Sequence, residues 1–190
     1  MEVASSELGH VVGHAAAKRE FLSAVESGKL HHGWLLRGPR GVGKARLAIQ
    51  FAMHLLGNGD GELTANAETQ VGRLIAAGSH PDFRIVRRPI DDKGKQKSEI
   101  PVDSVRALSE FFSMRPAMGG WRIAIIDSVD EMNRHGENAI LKTLEEPPSR
   151  AVLFLISHGE QLLLPTVRSR CRVLRCGALS EHETLSSLAQ

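Results

Sequence analysis

The stretch Trp34-Leu35-Leu36-Arg37-Gly38-Pro39-Arg40-Gly41-Val42-Gly43-Lys44-Ala45 leads from an apolar run into a glycine-rich turn. Leu47, Ala48, Phe51, Ala52 and Leu55 then recur at helical spacing. Gly38, four residues, then Gly43-Lys44 is the spacing at which backbone N–H groups wrap a phosphate while the lysine reaches its terminal oxygens. Gly38, Gly41 and Gly43 suit such a nest because it needs backbone angles and a close approach that a Cβ would block. The residue that should follow is Ser or Thr, whose hydroxyl ligates Mg²⁺; here it is Ala45. The competing reading is a glycine turn between strand and helix with a solvated lysine.

The rest of the chain alternates the helical and extended periods. A helix is expected from Ala15 to Gly28, with Phe21, Leu22 and Val25 on one face. Asn58 to Gly61 reads as a loop, and Glu68 to Ala77 as a helix closed by Gly78. The chain turns at His80-Pro81-Asp82 into a strand at Phe83 to Arg88, and Pro89 to Glu99 reads as a polar, flexible loop. Asp103 is the expected N-cap of a helix that buries Val105, Leu108 and Phe112 and ends before Pro116. Trp121 to Asp127 is an apolar run closed by an acid, the pattern of a central parallel strand with a carboxylate at its C-terminal edge. Asp127 could face the phosphate loop and organise Mg²⁺ through water, or cap the next helix without touching a metal. Hydrolases of this kind carry Glu after that acid; this chain has Ser128, and Asp130 and Glu131 are out of phase. A helix from Arg134 to Glu145, halted by Pro147-Pro148, precedes a buried strand at Val152 to Ile156, and a short strand follows Cys171. Together these predict an α/β doubly wound domain, a largely parallel five-stranded sheet flanked by helices, with ligands at the strands' C-terminal ends.

Composition bounds the remaining classes. The 190 residues, 42% hydrophobic with a formal charge of +2, fit one globular domain plus a little. No apolar run of about 18 residues occurs, and Met1 to Glu7 lacks the basic and apolar parts of a signal peptide, so a cytoplasmic location away from membranes is expected. Cys171 and Cys176 would lie on opposite faces of a strand, which suits neither a disulfide nor a metal pair. His10 and His14 are four apart but lack a third ligand nearby, so no metal is expected. Between Arg84 and Glu99 six basic residues face three acidic ones. Contact with DNA is open there, although no aromatics are interleaved for base stacking and a solvated loop is favoured.

Several local strings acquire meaning together: His31-His32, Gly38 to Lys44, His80-Pro81-Asp82, Val102 to Leu108, Asn138 to Pro148 with its Leu-Lys-Thr-Leu-Glu-Glu-Pro-Pro run, and Leu164 to Cys171 ending in Ser-Arg-Cys. In this combination the chain resembles the clamp-loader subunits of bacterial DNA polymerase III, of the AAA+ superfamily. The resemblance implies that Arg170 is a trans-acting arginine finger, projecting into the nucleotide site of a neighbouring subunit, and that Ser157 sits at the sensor-1 position. Read alone, Arg170 is a surface ion pair and Ser157 a strand-end cap. Motor subunits of the family carry Ser or Thr after the loop, an Asp-Glu pair and a four-cysteine zinc site; this chain has Ala45, Asp127-Ser128 and no cysteine between Gly57 and Pro81. It is therefore more similar to the non-hydrolysing stator class, with the ATP-hydrolysing motor (gamma/tau type) as the alternative and a phosphate-transferring kinase as a more distant one.

The implied cofactors are none required and no zinc, with weak binding of ATP, ADP or phosphate at the loop. The implied partners are the gamma/tau and delta subunits and, indirectly, the sliding clamp and primer-template DNA. The implied division is an AAA+ domain over residues 1–177 and, over 178–190, the start of a helical lid, so that the chain is expected to be part of a longer protein.

Overall fold

The structure is a computed structural model that describes residues 3–9, 11–57, 63, 67–159, 164–180, 183 and 185. The expected loop at Asn58 to Gly61, His10, and most of the expected lid segment lie outside the described residues.

All seven residues of β4 (Ala151–Ser157) are buried, because a run that is apolar on both sides is satisfied only between two layers. Its neighbours are β3 (Arg122–Asp127) and β1 (Gly33–Arg37), with β2 (Phe83–Arg87) and β5 (Arg172–Arg175) at the edges. The order is β2-β3-β4-β1-β5 and every pairing is parallel. Arg37 is level with Ser157 and Asp127 with Ile156, so the connections after β1, β3 and β4 open at the same edge of the sheet.

Alternation along the strands splits the core in two. Trp34, Leu36, Ile125 and Phe154 face α1 (Ala15–Glu26) and α2 (Lys44–Leu56), where Phe21 stacks on Phe51 at 4.0 Å. Ile75 of α3 (Gln70–Ala76) joins this side. Leu35, Ile126 and Leu155 face α4 (Val102–Ser113), α5 (Arg134–Glu145) and Val167 of the short α6 (Pro165–Arg168). The expected doubly wound five-stranded sheet is observed. Asn133 caps α5 by accepting the His135 and Gly136 N–H groups at 3.1 Å, and the helix stops before Pro147-Pro148.

One local expectation is corrected. The N-cap of α4 is Pro101, not Asp103: proline has no N–H to leave unpaired there, and Asp103 sits inside the first turn, paired with Arg106 at 3.3 Å. The segment expected to be a polar loop at Pro89 to Glu99 is one, and it turns back on itself. Asp91 Oδ1 accepts the Lys93 and Lys95 N–H groups at 2.9 Å, and Ile90 bridges Gln96 in antiparallel fashion. Cys176 packs into the first core and Cys171 against the second; both are free thiols, and burial pushes them up to about 11 and about 12 respectively. Among the described residues no helix is long and apolar enough to cross a membrane.

Candidate phosphate-binding site

The phosphate loop forms where β1 hands over to α2. Gly41 and Gly43 have φ of +82° and +90°, left-handed values that a Cβ disfavours, and they turn the loop into the 13-residue α2. Gly38 is required for another reason. A Cβ there would lie 1.8 Å from the Cys176 carbonyl oxygen, so the chain leaving β5 packs directly on the loop. Lys44 is 3% exposed; its Nζ donates to the Gly38 carbonyl at 2.7 Å and to that of Pro39. Burial lowers its pKa, partly offset by Cys176, Asp130 and Asp127. The amine is thus stored on its own loop, where an entering phosphate oxygen would replace the carbonyls.

A cavity of about 400 Å³ opens beside Gly41 to Arg46, with Asp127 and His158 opposite and Glu7, Val11 and Val12 forming a third wall. The N-terminal segment is fastened there: Lys18 Nζ donates to the Val11 carbonyl, and His14 Nε2 donates to the Val42 carbonyl at 2.6 Å. His14 holds φ +56°, a left-handed conformation costing a non-glycine residue about 1 kcal/mol. Its role is a brace on the phosphate loop, a use that spacing to His10 did not suggest.

On the acidic side, Asp127 accepts from Arg87 Nε at 3.2 Å, and Arg87 donates through Nη1 and Nη2 to both carboxylate oxygens of Glu7 at 2.9 and 2.6 Å. Burial raises the Asp127 pKa, while Arg87 and His158 pull it back. Arg87 is itself raised: burial opposes its charge, but the Glu7 and Asp127 bonds outweigh that. The cap reading of Asp127 does not hold, since Ser128 is the N-cap of the one-turn 3-10 segment Val129–Glu131. Ser128 is 1% exposed, its Oγ has no hydrogen-bond partner, and it does not line the cavity. Ser157, also buried, donates to Asp130 Oδ1 at 2.8 Å, and Asp130 further accepts the His158 N–H. Glu131 is pinned between Arg40 at 3.0 Å and Arg88 at 2.7 Å. With Arg84 over the Phe111 ring at 5.2 Å, all three arginines of β2 and its exit have partners within the fold.

The sequence-predicted residues Gly38, Gly41, Gly43, Lys44, Asp127 and Ser157 therefore gather at one edge of the sheet. Arg170 does not join them. Its carbonyl oxygen would lie 3.2 Å from a Cβ on Gly33, at the start of β1, whereas the phosphate loop follows the end of that strand. Five extended residues separate the two by about 16 Å. The Arg170 side chain is 36% exposed, and its guanidinium pairs with Glu145 Oε1 at 2.9 Å and donates to the Thr166 carbonyl at 2.9 Å. Sequence reasoning missed Glu7, His14 and Arg87; their partners lie 28 to 80 residues away, beyond any local pattern.

Chemically, the site can hold an anion on loop N–H groups and Lys44. The methyl of Ala45 offers no metal ligand, and the residue after Asp127 presents no carboxylate to a water. The residues fit a phosphate better than a phosphate with its Mg²⁺.

The family model described as "DNA polymerase III, delta subunit" matches residues 13–180. The DNA polymerase III subunit delta' of Pseudomonas aeruginosa is 37% identical over 158 residues, 82% of this chain and 47% of that protein. Its counterpart in Escherichia coli is 29% identical, covering 81% and 45%. The subunit tau/gamma of Haemophilus influenzae is 32% identical over 94% of this chain but 25% of its own length. The chain thus spans about half the length of the delta' relatives it matches. Among solved structures, a gamma subunit-related protein from Thermotoga maritima superposes with a TM-score of 0.58 at 19% identity, covering 88% of this chain and 49% of that one. The Thermotoga maritima RuvB branch migration motor does so at 0.50 and 16%, covering 90% and 48%. The fold is that of the AAA+ P-loop proteins, and the chain belongs to the DNA polymerase III delta-subunit family.

Proposed function

We infer that this chain is the AAA+ part of a delta'-type clamp-loader subunit of the replicative DNA polymerase III, a stator that does not turn over ATP itself. The observation that carries the reading is a phosphate loop with its lysine but without the groups that hold a metal and activate water: Ala45 in place of a hydroxyl, and Ser128 buried away from the cavity. Residues 1–177 are the AAA+ domain and 178–190 the beginning of a lid. Arg170 serves the neighbouring subunit's nucleotide as a finger in trans, which its position at the far edge from its own loop supports. The partners are gamma/tau and delta and, through them, the sliding clamp and primer-template DNA. Nucleotide is dispensable to the subunit and is held weakly at the loop.

The second reading, a motor subunit, is favoured by the tau/gamma relative that is 32% identical over 94% of the chain. Phosphate release from Mg²⁺-ATP by the purified protein separates the two. The stator releases none above the uncatalysed rate; steady release abolished by Lys44→Ala identifies a motor.

A further inference from the structure

The geometry points to Arg87, clasped between Glu7 and Asp127, as the stand-in for the divalent cation of this site, so that the cavity takes a nucleoside di- or triphosphate as its metal-free anion. This rests on reading Gly38 to Lys44 as a phosphate loop. It adds the form of the ligand and the residue that decides it.

A divalent cation beside a bound polyphosphate needs oxygen donors from the protein. Ala45 supplies none, and the Asp127 oxygen Oδ2 is taken up by Arg87 Nε at 3.2 Å. Arg87 is not a passing surface partner. Its other two nitrogens grip both Glu7 oxygens at 2.9 and 2.6 Å, a bidentate pair, and the Arg87, Glu7 and Asp127 side chains are each only about one-fifth exposed at 19%, 23% and 20%. A metal entering at Asp127 would find Oδ2 already held and a guanidinium cation, anchored from two sides, beside it.

Charge around the cavity points the same way. Glu7 and Asp127 both line it, and two carboxylates facing Lys44 and Arg46 would leave no net attraction for a polyphosphate stripped of its metal. Arg87 does not line the cavity itself, but through its bonds to both acids its charge offsets theirs and leaves Lys44 and Arg46 to attract the anion, which is the job Mg²⁺ performs elsewhere. Because Glu7 reaches Arg87 from the segment that also supplies Val11 and Val12, the clasp keeps the N-terminal wall of the cavity closed on the loop.

The test is calorimetric titration of ADP into the purified protein, first with Mg²⁺ and then with excess EDTA. Binding is expected to be tighter in EDTA, and excess Mg²⁺ to raise the apparent Kd several-fold, because Mg²⁺ competes for the free ADP that alone enters the site. Arg87→Gln is expected to weaken metal-free ADP binding by roughly tenfold, the order of one charge lost in a partly screened site, and to make binding Mg²⁺-dependent. Arg87→Lys keeps the charge and the preference for metal-free ADP. Should Arg87→Gln fail to fold by circular dichroism, Glu7→Gln reads the same balance from the other side and is expected to tighten metal-free ADP. Wild-type binding that appears only with Mg²⁺ overturns the clasp and leaves the phosphate-loop reading standing. Wild-type behaviour indistinguishable from Lys44→Ala, with no binding in either medium, overturns both.

Discussion

His80 is 2% exposed, its Nδ1 accepts the Asp82 N–H at 3.1 Å, and its Nε2 is buried without a hydrogen-bond partner. Only the neutral ring with its proton on Nε2 fits, because a second proton would sit on the nitrogen that must accept. Burial accordingly lowers the His80 pKa, with Asp82 opposing and Arg84 reinforcing the shift. The unfolded chain takes up a proton below the ordinary histidine value of about 6.5 while the folded state does not, so stability falls as pH drops through that window. Denaturant unfolding between pH 7 and 5 is expected to show this loss, and His80→Asn, which keeps an acceptor but does not titrate, to reduce its slope; parallel slopes for the two proteins would contradict it. At this scale the sequence was uneven. Gly43 and Lys44 were legible because the nest is built from consecutive residues. Arg84, Arg87 and Arg88 read alike as charge on one strand, and only the fold separates a ring partner, a clasp and an ion pair with Glu131.

Elements were more legible than their anchors. The ends of α2, α4 and α5 fell at Gly57, before Pro116 and before Pro147 because local breakers and tertiary packing agree there. Asp103 misled because it is a good capping residue placed two residues too late, behind a proline. The connection from α4 to β3 carried no readable signal of its own, yet it is tied down from inside. Buried Asp82 accepts the Ala117 and Met118 N–H groups at 2.8 Å each and pairs with Arg122 at 3.3 Å, while Arg122 lies over the Phe111 ring at 4.6 Å and donates to the Arg115 carbonyl at 3.1 Å. Removing the carboxylate strands a buried guanidinium and two amides. Asp82→Ala is expected to cost about 3–5 kcal/mol in equilibrium unfolding. A loss under about 1 kcal/mol would mean the pair is bystander to the packing of β2 and β3.

On the scale of the whole molecule, the parallel sheet separates two chemistries. The phosphate loop opens at the C-terminal edge, and Arg170 projects from the N-terminal edge beside Gly33, braced by Glu145 from the end of α5. His32 Nε2 donates to the Leu144 carbonyl at 3.0 Å, fixing that helix end to the start of β1 and so the platform from which Arg170 extends. In the role proposed for Arg170, a subunit with different functional groups at its two ends would suit head-to-tail neighbours rather than a two-fold dimer. The alternation of strands and helices made this topology readable, but which edge Arg170 occupies follows from the crossover into β5, which no local string encodes. The central claim is that this arginine works on a nucleotide the chain does not bind. It is tested by reconstituting the full-length protein with its ATP-hydrolysing partners and measuring turnover at the adjoining site with Arg170→Ala. Turnover there is expected to fall by about 10³-fold, with this subunit's own ADP affinity unchanged. An undiminished rate would contradict the trans role and leave Arg170 as the surface partner of Glu145.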